Sequence, residues 1–144
     1  MLLLVENNPD DRELAMVAFR QVRAHKRVIV CESGEEALDF LFGTGAYAGR
    51  DPSYLPKVVV LDLKLQRMDG LEVLQCVRAD ARTRRLPVVM LSSSREQSDL
   101  AASYDLGANS YIRKPVDFGE FLNMARQLVA YWLDLNEVPA APAS

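Results

Sequence analysis

Three polar side chains in this sequence have the chemistry needed to handle a phosphoryl group. Asp62 directly follows the apolar run Val58–Leu61, and Ser92 directly follows the apolar run Pro87–Leu91. Lys114 follows the short segment Asn109–Arg113, a further strand candidate. A carboxylate is an established phosphoryl acceptor, while a hydroxyl donor and an ammonium group stabilise the oxygens of a bound phosphoryl group.

Residues near the start of the chain offer oxygen ligands that could bind a metal ion beside these side chains. Glu6 and Asn7 directly follow the apolar run Leu2–Val5. Together with Asp62 they offer oxygens to a small hard cation, and Mg²⁺ prefers such a set in near-octahedral geometry. A magnesium ion there would neutralise phosphoryl oxygens and favour in-line attack by Asp62.

These side chains meet only if the apolar runs are neighbouring strands of one sheet. The run ending at Asp62 is rich in β-branched residues and does not alternate, which is typical of a strand covered on both faces. Ligands collect outside the carboxyl ends of such strands. The predicted strands are Leu2–Val5, Val28–Cys31, the run ending at Asp62, Pro87–Leu91 and Asn109–Arg113.

Helical patterns separate these strands, so strands and helices alternate along the chain. The pattern predicts an α/β fold, a doubly wound five-stranded parallel sheet of order 2-1-3-4-5 with right-handed crossovers. Capping residues mark the helix starts. The expected caps are Asn8 before Pro9, Ser33 with Glu36, Asp69 with Glu72, and Ser93 or Ser94 after the fourth strand. The last helix is expected from Asp117 to Leu133, and the segment Gly43–Pro56 is expected to lack regular structure.

Composition narrows the class of protein. The 144 residues suit one domain, predicted as residues 1–133 with a partly disordered C-terminal tail at 134–144. A net charge of -3 offers no basic footprint for nucleic acid. No apolar run approaches the ~20 residues of a membrane span, and the apolar start is too short for a signal peptide. We therefore expect a cytoplasmic protein that binds neither nucleic acid nor membrane.

Four separated motifs, in order along the chain, resemble the receiver domain of two-component response regulators. The resemblance covers residues 1–133 and implies a flavodoxin-like, CheY-like receiver fold. The motifs are Leu3-Leu4-Val5-Glu6-Asn7, Val60-Leu61-Asp62-Leu63-Lys64 with Met68-Asp69-Gly70, Met90-Leu91-Ser92-Ser93, and Tyr111-Ile112-Arg113-Lys114-Pro115.

The resemblance implies a role for each matching residue. Asp62 would accept a phosphoryl group from the phosphohistidine of a sensor histidine kinase, with no enzyme activity beyond self-catalysed phosphotransfer and dephosphorylation. Ser92 would be the switch hydroxyl and Lys114 the partner of the phosphate. Tyr111 would be the switch aromatic, and Pro115 would form a cis peptide bond with Lys114.

The resemblance also implies a metal set, in which this chain departs from the family at one position. Mg²⁺ would be held by Glu6, Asn7, Asp62 and the backbone carbonyl of Lys64. Receivers usually have an aspartate at the second acidic position, where this chain has Asn7. An amide oxygen still ligates, but one negative charge is lost, so weaker Mg²⁺ binding is expected. Asp10 could assist but is expected to cap the first helix.

Output is expected to be protein–protein contact, because only eleven residues follow Leu133. A second apolar stripe on the last helix and tail indicates an interface and favours a homodimer. The residues predicted for that interface are Met124, Leu128, Tyr131, Trp132 and Leu135. The Gly43–Pro56 segment and the ending Ala130–Asn136 resemble the stand-alone regulators paired with phytochrome kinases, which implies a bacteriophytochrome as the kinase partner.

Two other classes of function stay open on the sequence. A receiver-like interaction module that is independent of phosphorylation is supported by Asn7, whereas Asp62, Ser92 and Lys114 speak against it. A flavodoxin-like enzyme or flavin carrier needs a glycine- or hydroxyl-rich turn after the first strand to hold a phosphate. The acidic turn at 6–11 would instead repel one.

Overall fold

A parallel sheet forms the centre of the molecule, in a computed structural model that describes residues 1–140. Its strands are β1 (Leu2–Val5), β2 (Val28–Cys31), β3 (Val58–Asp62), β4 (Val88–Ser92) and β5 (Ser110–Arg113). They are all parallel and are arranged in the order β2-β1-β3-β4-β5. The predicted fold class and strand order are confirmed.

Five α-helices connect and flank the strands. They are α1 (Pro9–Gln21), α2 (Gly34–Phe42), α3 (Gly70–Ala79), α4 (Gln97–Asp105) and α5 (Phe118–Leu128). The last helix continues as a π-helical segment, Val129–Leu135, so it extends past the predicted end at Leu133. None of the helices within residues 1–140 has the length and apolar character that crossing a membrane requires.

Two apolar layers sandwich the sheet, because successive strand residues point to opposite faces. In β1, Leu3 and Val5 pack on the face covered by α2 and α3, whereas Leu2 and Leu4 pack on the face covered by α1 and α5. All residues of β1, β3 and β4 are buried. The central strands are therefore rigid supports for whatever follows their carboxyl ends.

Three of the predicted caps are confirmed. The side chains of Asn8, Ser33 and Asp69 accept backbone N–H groups at the starts of α1, α2 and α3. The prediction that Ser93 or Ser94 caps α4 is wrong, because α4 begins only at Gln97. The Ser94 hydroxyl accepts the Glu96 N–H in the preceding loop, which uses its capping capacity before the helix begins.

The segment Gly43–Pro56 is more ordered than its composition predicts. It contains a 3₁₀ turn at Gly45–Tyr47. The Arg50 guanidinium lies 3.9 Å from the centroid of the Phe40 ring and donates to the carbonyls of Phe40 and Tyr54. One arginine thus fastens the segment to the end of α2.

Candidate functional site

The strand order brings the predicted site residues together at one edge of the sheet. Glu6 follows β1, Asp62 ends β3, Ser92 ends β4, and Lys114 follows β5. The strands β1, β3, β4 and β5 are consecutive neighbours. Their carboxyl ends therefore open into one cleft of about 390 Å³, which Asp62 and Lys114 line, whereas the side chains of Glu6 and Ser92 are buried and do not line it.

The ammonium of Lys114 lies among three carboxylates. Its Nζ donates to Glu6 Oε1 at 2.6 Å, to Asp11 Oδ2 at 3.0 Å and to Asp62 Oδ2 at 3.1 Å. The side chains of Glu6 and Asp62 are only 4% and 8% exposed. Such weakly solvated charges require a counter-ion, and Lys114 supplies it.

Burial and crowding shift the ionisation of this cluster. Desolvation, reinforced by the neighbouring Asp62, raises the pKa of Glu6 from its ordinary 4.5 to about 7. Burial alone would lower the pKa of Lys114, but its contacts with Glu6, Asp62 and Asp11 outweigh burial and raise that pKa. Lys114 is therefore cationic throughout the physiological pH range, whereas Glu6 gains or loses its proton near neutral pH.

Asp11 is a member of this site that the sequence analysis missed. Acidic residues directly after Pro9 are typical of the positively charged start of a helix. In the structure this start is capped by Asn8, whose Oδ1 accepts the N–H groups of Asp10 and Asp11. The carboxylate of Asp11 is left to reach Lys114. Asn8 was already the expected cap, so the available signal was that a second cap is not needed, which leaves a carboxylate of the first turn of α1 free beside the strand ends.

Three of the four metal-binding residues expected from the resemblance line the same cleft, whereas the fourth, Glu6, is buried beside Lys114. Asn7, Asp62 and Lys64 line it, together with Asp11. The backbone N–H of Lys64 donates to Asp62 Oδ1 at 3.2 Å. Within residues 1–140, no three His, Cys, Asp or Glu side chains are grouped as a complete metal site. The oxygens present, two carboxylates, an amide and nearby backbone carbonyls, nonetheless fit a hard cation that keeps several waters.

Ser92 and Tyr111 both form hydrogen bonds with Ser94, a residue expected from the sequence only as a possible helix cap. The Ser92 hydroxyl is buried and accepts the backbone N–H of Ser94 at 3.0 Å. The Tyr111 hydroxyl donates to the backbone carbonyl of Ser94 at 3.3 Å. The side chain of Ser94 donates to Asp99 in α4 at 2.6 Å, and Lys64 lies 3.8 Å from that carboxylate. Ser94 therefore joins the strand end, the aromatic side chain and α4.

The predicted cis bond between Lys114 and Pro115 is wrong: no cis peptide bond occurs among the residues that the structure describes. The trans form is the more stable default for an X–Pro bond by about 0.5–1 kcal/mol. From a trans backbone, the Lys114 side chain already spans to Glu6, Asp11 and Asp62, so reaching the carboxylates does not require the cis form.

The residues predicted for an interface differ in how much surface they offer. Tyr131 and Leu135 are exposed, at 49% and 72%. Met124 and Trp132 are partly buried and line a groove between β5 and α5. Leu128 is only 3% exposed, because it packs in the core beneath α5, so it adds almost no surface.

The known proteins that this chain is similar to include response regulators. The family described as response regulator receiver domain matches residues 2–126. The response regulator Rcp1 of Synechocystis sp. is 31% identical over 141 residues, covering 98% of this chain and 94% of Rcp1. A Mn²⁺-bound structure of Rcp1 superposes with a TM-score of 0.83, covering 96% of this chain and 98% of that one.

Two further solved structures resemble this chain over most of its length. The phosphorylated cyanobacterial phytochrome response regulator RcpA has a TM-score of 0.86 and 33% identity, with 96% of each chain covered. The bacteriophytochrome response regulator RtBRR has a TM-score of 0.75 and 45% identity, covering 96% of this chain and 82% of that one.

Proposed function

Since this chain belongs to the response regulator receiver domain family, we propose that it accepts a phosphoryl group on Asp62 from a sensor histidine kinase. The proposed donor is a bacteriophytochrome, because the similar chains RcpA and RtBRR are described as phytochrome and bacteriophytochrome response regulators. The proposal makes the chain a phosphoacceptor and not an enzyme acting on other substrates.

One observation carries the proposal: the Lys114 ammonium lies 3.1 Å from Asp62 Oδ2 in a cleft at the carboxyl edge of the sheet. An oxygen of Asp62 would attack phosphorus in line, forming a P–O bond while the P–N bond to the kinase histidine breaks. The leaving imidazole nitrogen keeps the electron pair. Lys114 offsets the charge on the phosphoryl oxygens, as expected when catalysis rests on positioning and electrostatics.

The proposed cofactor is Mg²⁺, held by Asp62, Asn7 and the backbone carbonyl of Lys64, with Glu6 nearby. When bound, it would neutralise phosphoryl oxygens during transfer. The Mn²⁺-bound form of Rcp1 shows that a similar chain takes a divalent ion. In this chain the first-strand contribution comes from a neutral amide at Asn7, so weaker binding than with an aspartate is expected.

The signal would leave the site through Ser92. A phosphoryl oxygen on Asp62 would accept the Ser92 O–H and draw that hydroxyl away from the Ser94 N–H, whose hydrogen bond it now accepts, since hydrogen bonds to charged oxygens are the stronger ones. Loss of that bond loosens the loop that also holds Tyr111. The helix α4 is suited to respond, because Ser103 is the sole residue it fully buries. The proposed result is a shift between two populations of this surface.

The proposed output is protein–protein contact, with a homodimer as the favoured assembly. Support comes from exposed apolar side chains at Tyr131 and Leu135, beside the groove between β5 and α5. The edge strand β5 also has one side that no strand among residues 1–140 pairs with, and such an edge favours association. Sedimentation of the full chain against Leu135→Asp tests this part of the proposal: a monomeric wild type would contradict it.

The central test is phosphotransfer in Mg²⁺ from a labelled bacteriophytochrome kinase. Wild type should acquire acid-stable, base-labile label, and Asp62→Asn should acquire none. Asp105→Asn is the matched control, because Asp105 is exposed at the end of α4 and does not line the cleft. Label on folded Asp62→Asn, or no label on folded wild type from any kinase or from acetyl phosphate, would contradict the proposal.

A second candidate function is a receiver-like interaction module that needs no phosphate, and the neutral Asn7 in the cleft favours it. Beryllofluoride, a phosphoryl mimic, separates the two candidates. A switching receiver should change its assembly or its Trp132 fluorescence when the mimic binds with Mg²⁺. An unchanged wild type would favour the interaction module.

A further inference from the structure

We infer that Asp11 is the cation-attracting residue of this cleft, supplying from α1 the acidic charge that Asn7 does not supply from the end of β1. The inference rests on the proposed function and assigns a role to a residue outside the matching motifs. Asp11 is a positioning residue for a divalent cation and for Lys114, and it does not take the phosphoryl group itself.

The position of Asp11 separates it from the other carboxylates. The side chain of Asp11 is 40% exposed, whereas Glu6 and Asp62 are nearly buried. Asp11 lines the open side of the same cleft as Asn7, Asp62 and Lys64. It is therefore the carboxylate of the Lys114 cluster that an incoming hydrated cation meets first.

The start of α1 fixes Asp11 firmly in place. The Asp11 N–H donates to Asn8 Oδ1 at 3.1 Å, and Pro9 presets the first turn of the helix. Arg12 then ties this turn to the end of β1, donating to the carbonyls of Glu6 and Asn7 at 3.1 and 2.8 Å. The backbone that carries Asp11 is thus held in place, and from it the Asp11 carboxylate reaches Lys114.

The charges in the cleft give Asp11 a measurable effect. When Glu6, Asp11 and Asp62 are all ionised, Lys114 balances one of three negative charges. Asn7 contributes none. Removing the charge of Asp11 therefore halves the excess negative charge that attracts a divalent ion. If the charge of Asp11 were screened by solvent, as it is in most exposed ion pairs, its removal would have little effect on cation binding.

The test is the dissociation constant for Mn²⁺, and then for Mg²⁺, measured by isothermal titration calorimetry on the full chain. Asp11→Asn should bind about tenfold more weakly, the size expected for one charge close to a divalent ion in a mostly aqueous dielectric. Asp10→Asn is the matched control, since it removes the same charge one residue away without a contact to Lys114. It should bind within about twofold of wild type.

Two further variants make the result decisive. Asp11→Glu keeps the charge and should stay within about threefold of wild type, whereas Asn7→Asp with Asp11→Asn moves the charge back to the strand end and should restore binding to a similar level. Circular dichroism checks that each variant is folded. Binding by Asp11→Asn equal to that of Asp10→Asn, or no recovery in the double variant, would overturn the inference.

The same experiment separates this inference from the proposed function. If wild type binds the cation and takes label on Asp62 but Asp11→Asn behaves as Asp10→Asn does, only the role of Asp11 fails. If folded wild type neither binds Mn²⁺ nor takes label, the proposed function fails and the inference fails with it.

Discussion

Replacing Lys114 with methionine should destabilise the fold in a strongly pH-dependent manner. Methionine keeps most of the aliphatic side chain and also the backbone N–H, which donates to the Ser92 carbonyl at 2.8 Å. It removes the ammonium that contacts Glu6, Asp11 and Asp62 at 2.6 to 3.1 Å. The buried carboxylates then face each other without a counter-ion.

The expected size follows from competing effects. At such distances each ion pair gains about 5 kcal/mol at an effective dielectric of about 20, and desolvation of the buried charges offsets most of that gain. Removing one partner leaves the desolvation uncompensated, and at pH 8 the free energy of unfolding should fall by about 3 kcal/mol. At pH 5 Glu6 is protonated, because its pKa is already about 7 with Lys114 present. The loss should then shrink to about 1 kcal/mol, the size of lost hydrogen bonds.

The assay is urea denaturation followed by circular dichroism at pH 5 and pH 8, with a chelator present so that no divalent ion compensates. Lys26→Met is the control, because Lys26 is exposed and has no ion pair among residues 1–140; its stability should change by less than about 0.5 kcal/mol. Adding Glu6→Gln to Lys114→Met should recover part of the loss at pH 8. A loss of equal size at both pH values would refute the reasoning.

Two further predictions concern the residues around Asp62. Gly70→Ala should cost at least about 2 kcal/mol in unfolding free energy, because an added Cβ overlaps the Asp62 carbonyl oxygen and lies 2.9 Å from Leu63 Cα; Gly49→Ala, at a glycine with open space but positive φ, should cost less. Since the folded-state pKa of Glu6 is raised from 4.5 to about 7, its contribution to stability is fully present below about pH 4.5 and is lost as the pH rises through 7. Wild type should therefore lose more stability than Glu6→Gln between pH 5 and pH 8 in parallel urea titrations, and parallel slopes would contradict the burial of this carboxylate.

The sheet and the main site residues were predictable because they depend on local patterns and strand order. Unbroken apolar runs identify strands buried on both faces, and the order 2-1-3-4-5 alone brings Asp62, Ser92 and Lys114 to one edge. These relations depend on the chain connectivity and on hydrophobic patterning, both of which are readable in the sequence.

Residues whose roles depend on side-chain reach were not predictable in the same way. Asp10 and Asp11 are equivalent as acidic residues near a helix start, and only the rotation of α1 over the cleft selects Asp11. Arg78 illustrates the same limit, since it lies in an arginine-rich stretch that is typical of a solvated loop. In the structure its guanidinium donates to the carbonyls of Leu86 and Gly107 and supports the loops on either side.

The start of α4 was mispredicted for a related reason. A serine pair before a helical pattern favours a cap at Ser93 or Ser94, but the Ser94 side chain donates to Asp99 and accepts the Glu96 N–H. Those bonds hold the loop for several residues before the helix begins at Gln97. Local propensity favours an earlier start, and competing side-chain bonds to the backbone prevent it.

Because Ser94 hydrogen-bonds to three different parts of the fold, phosphorylation of Asp62 would affect two surfaces at once. The Ser94 N–H donates to the Ser92 hydroxyl at the end of β4, and the Ser94 carbonyl accepts the Tyr111 hydroxyl. The Ser94 hydroxyl donates to Asp99 in the first turn of α4. A displacement of the Ser94 backbone would therefore affect both the edge strand β5, through Tyr111, and the helix α4, through Asp99. Two binding partners, one contacting β5 and the other contacting α4, would then respond to the same phosphorylation event at the same time.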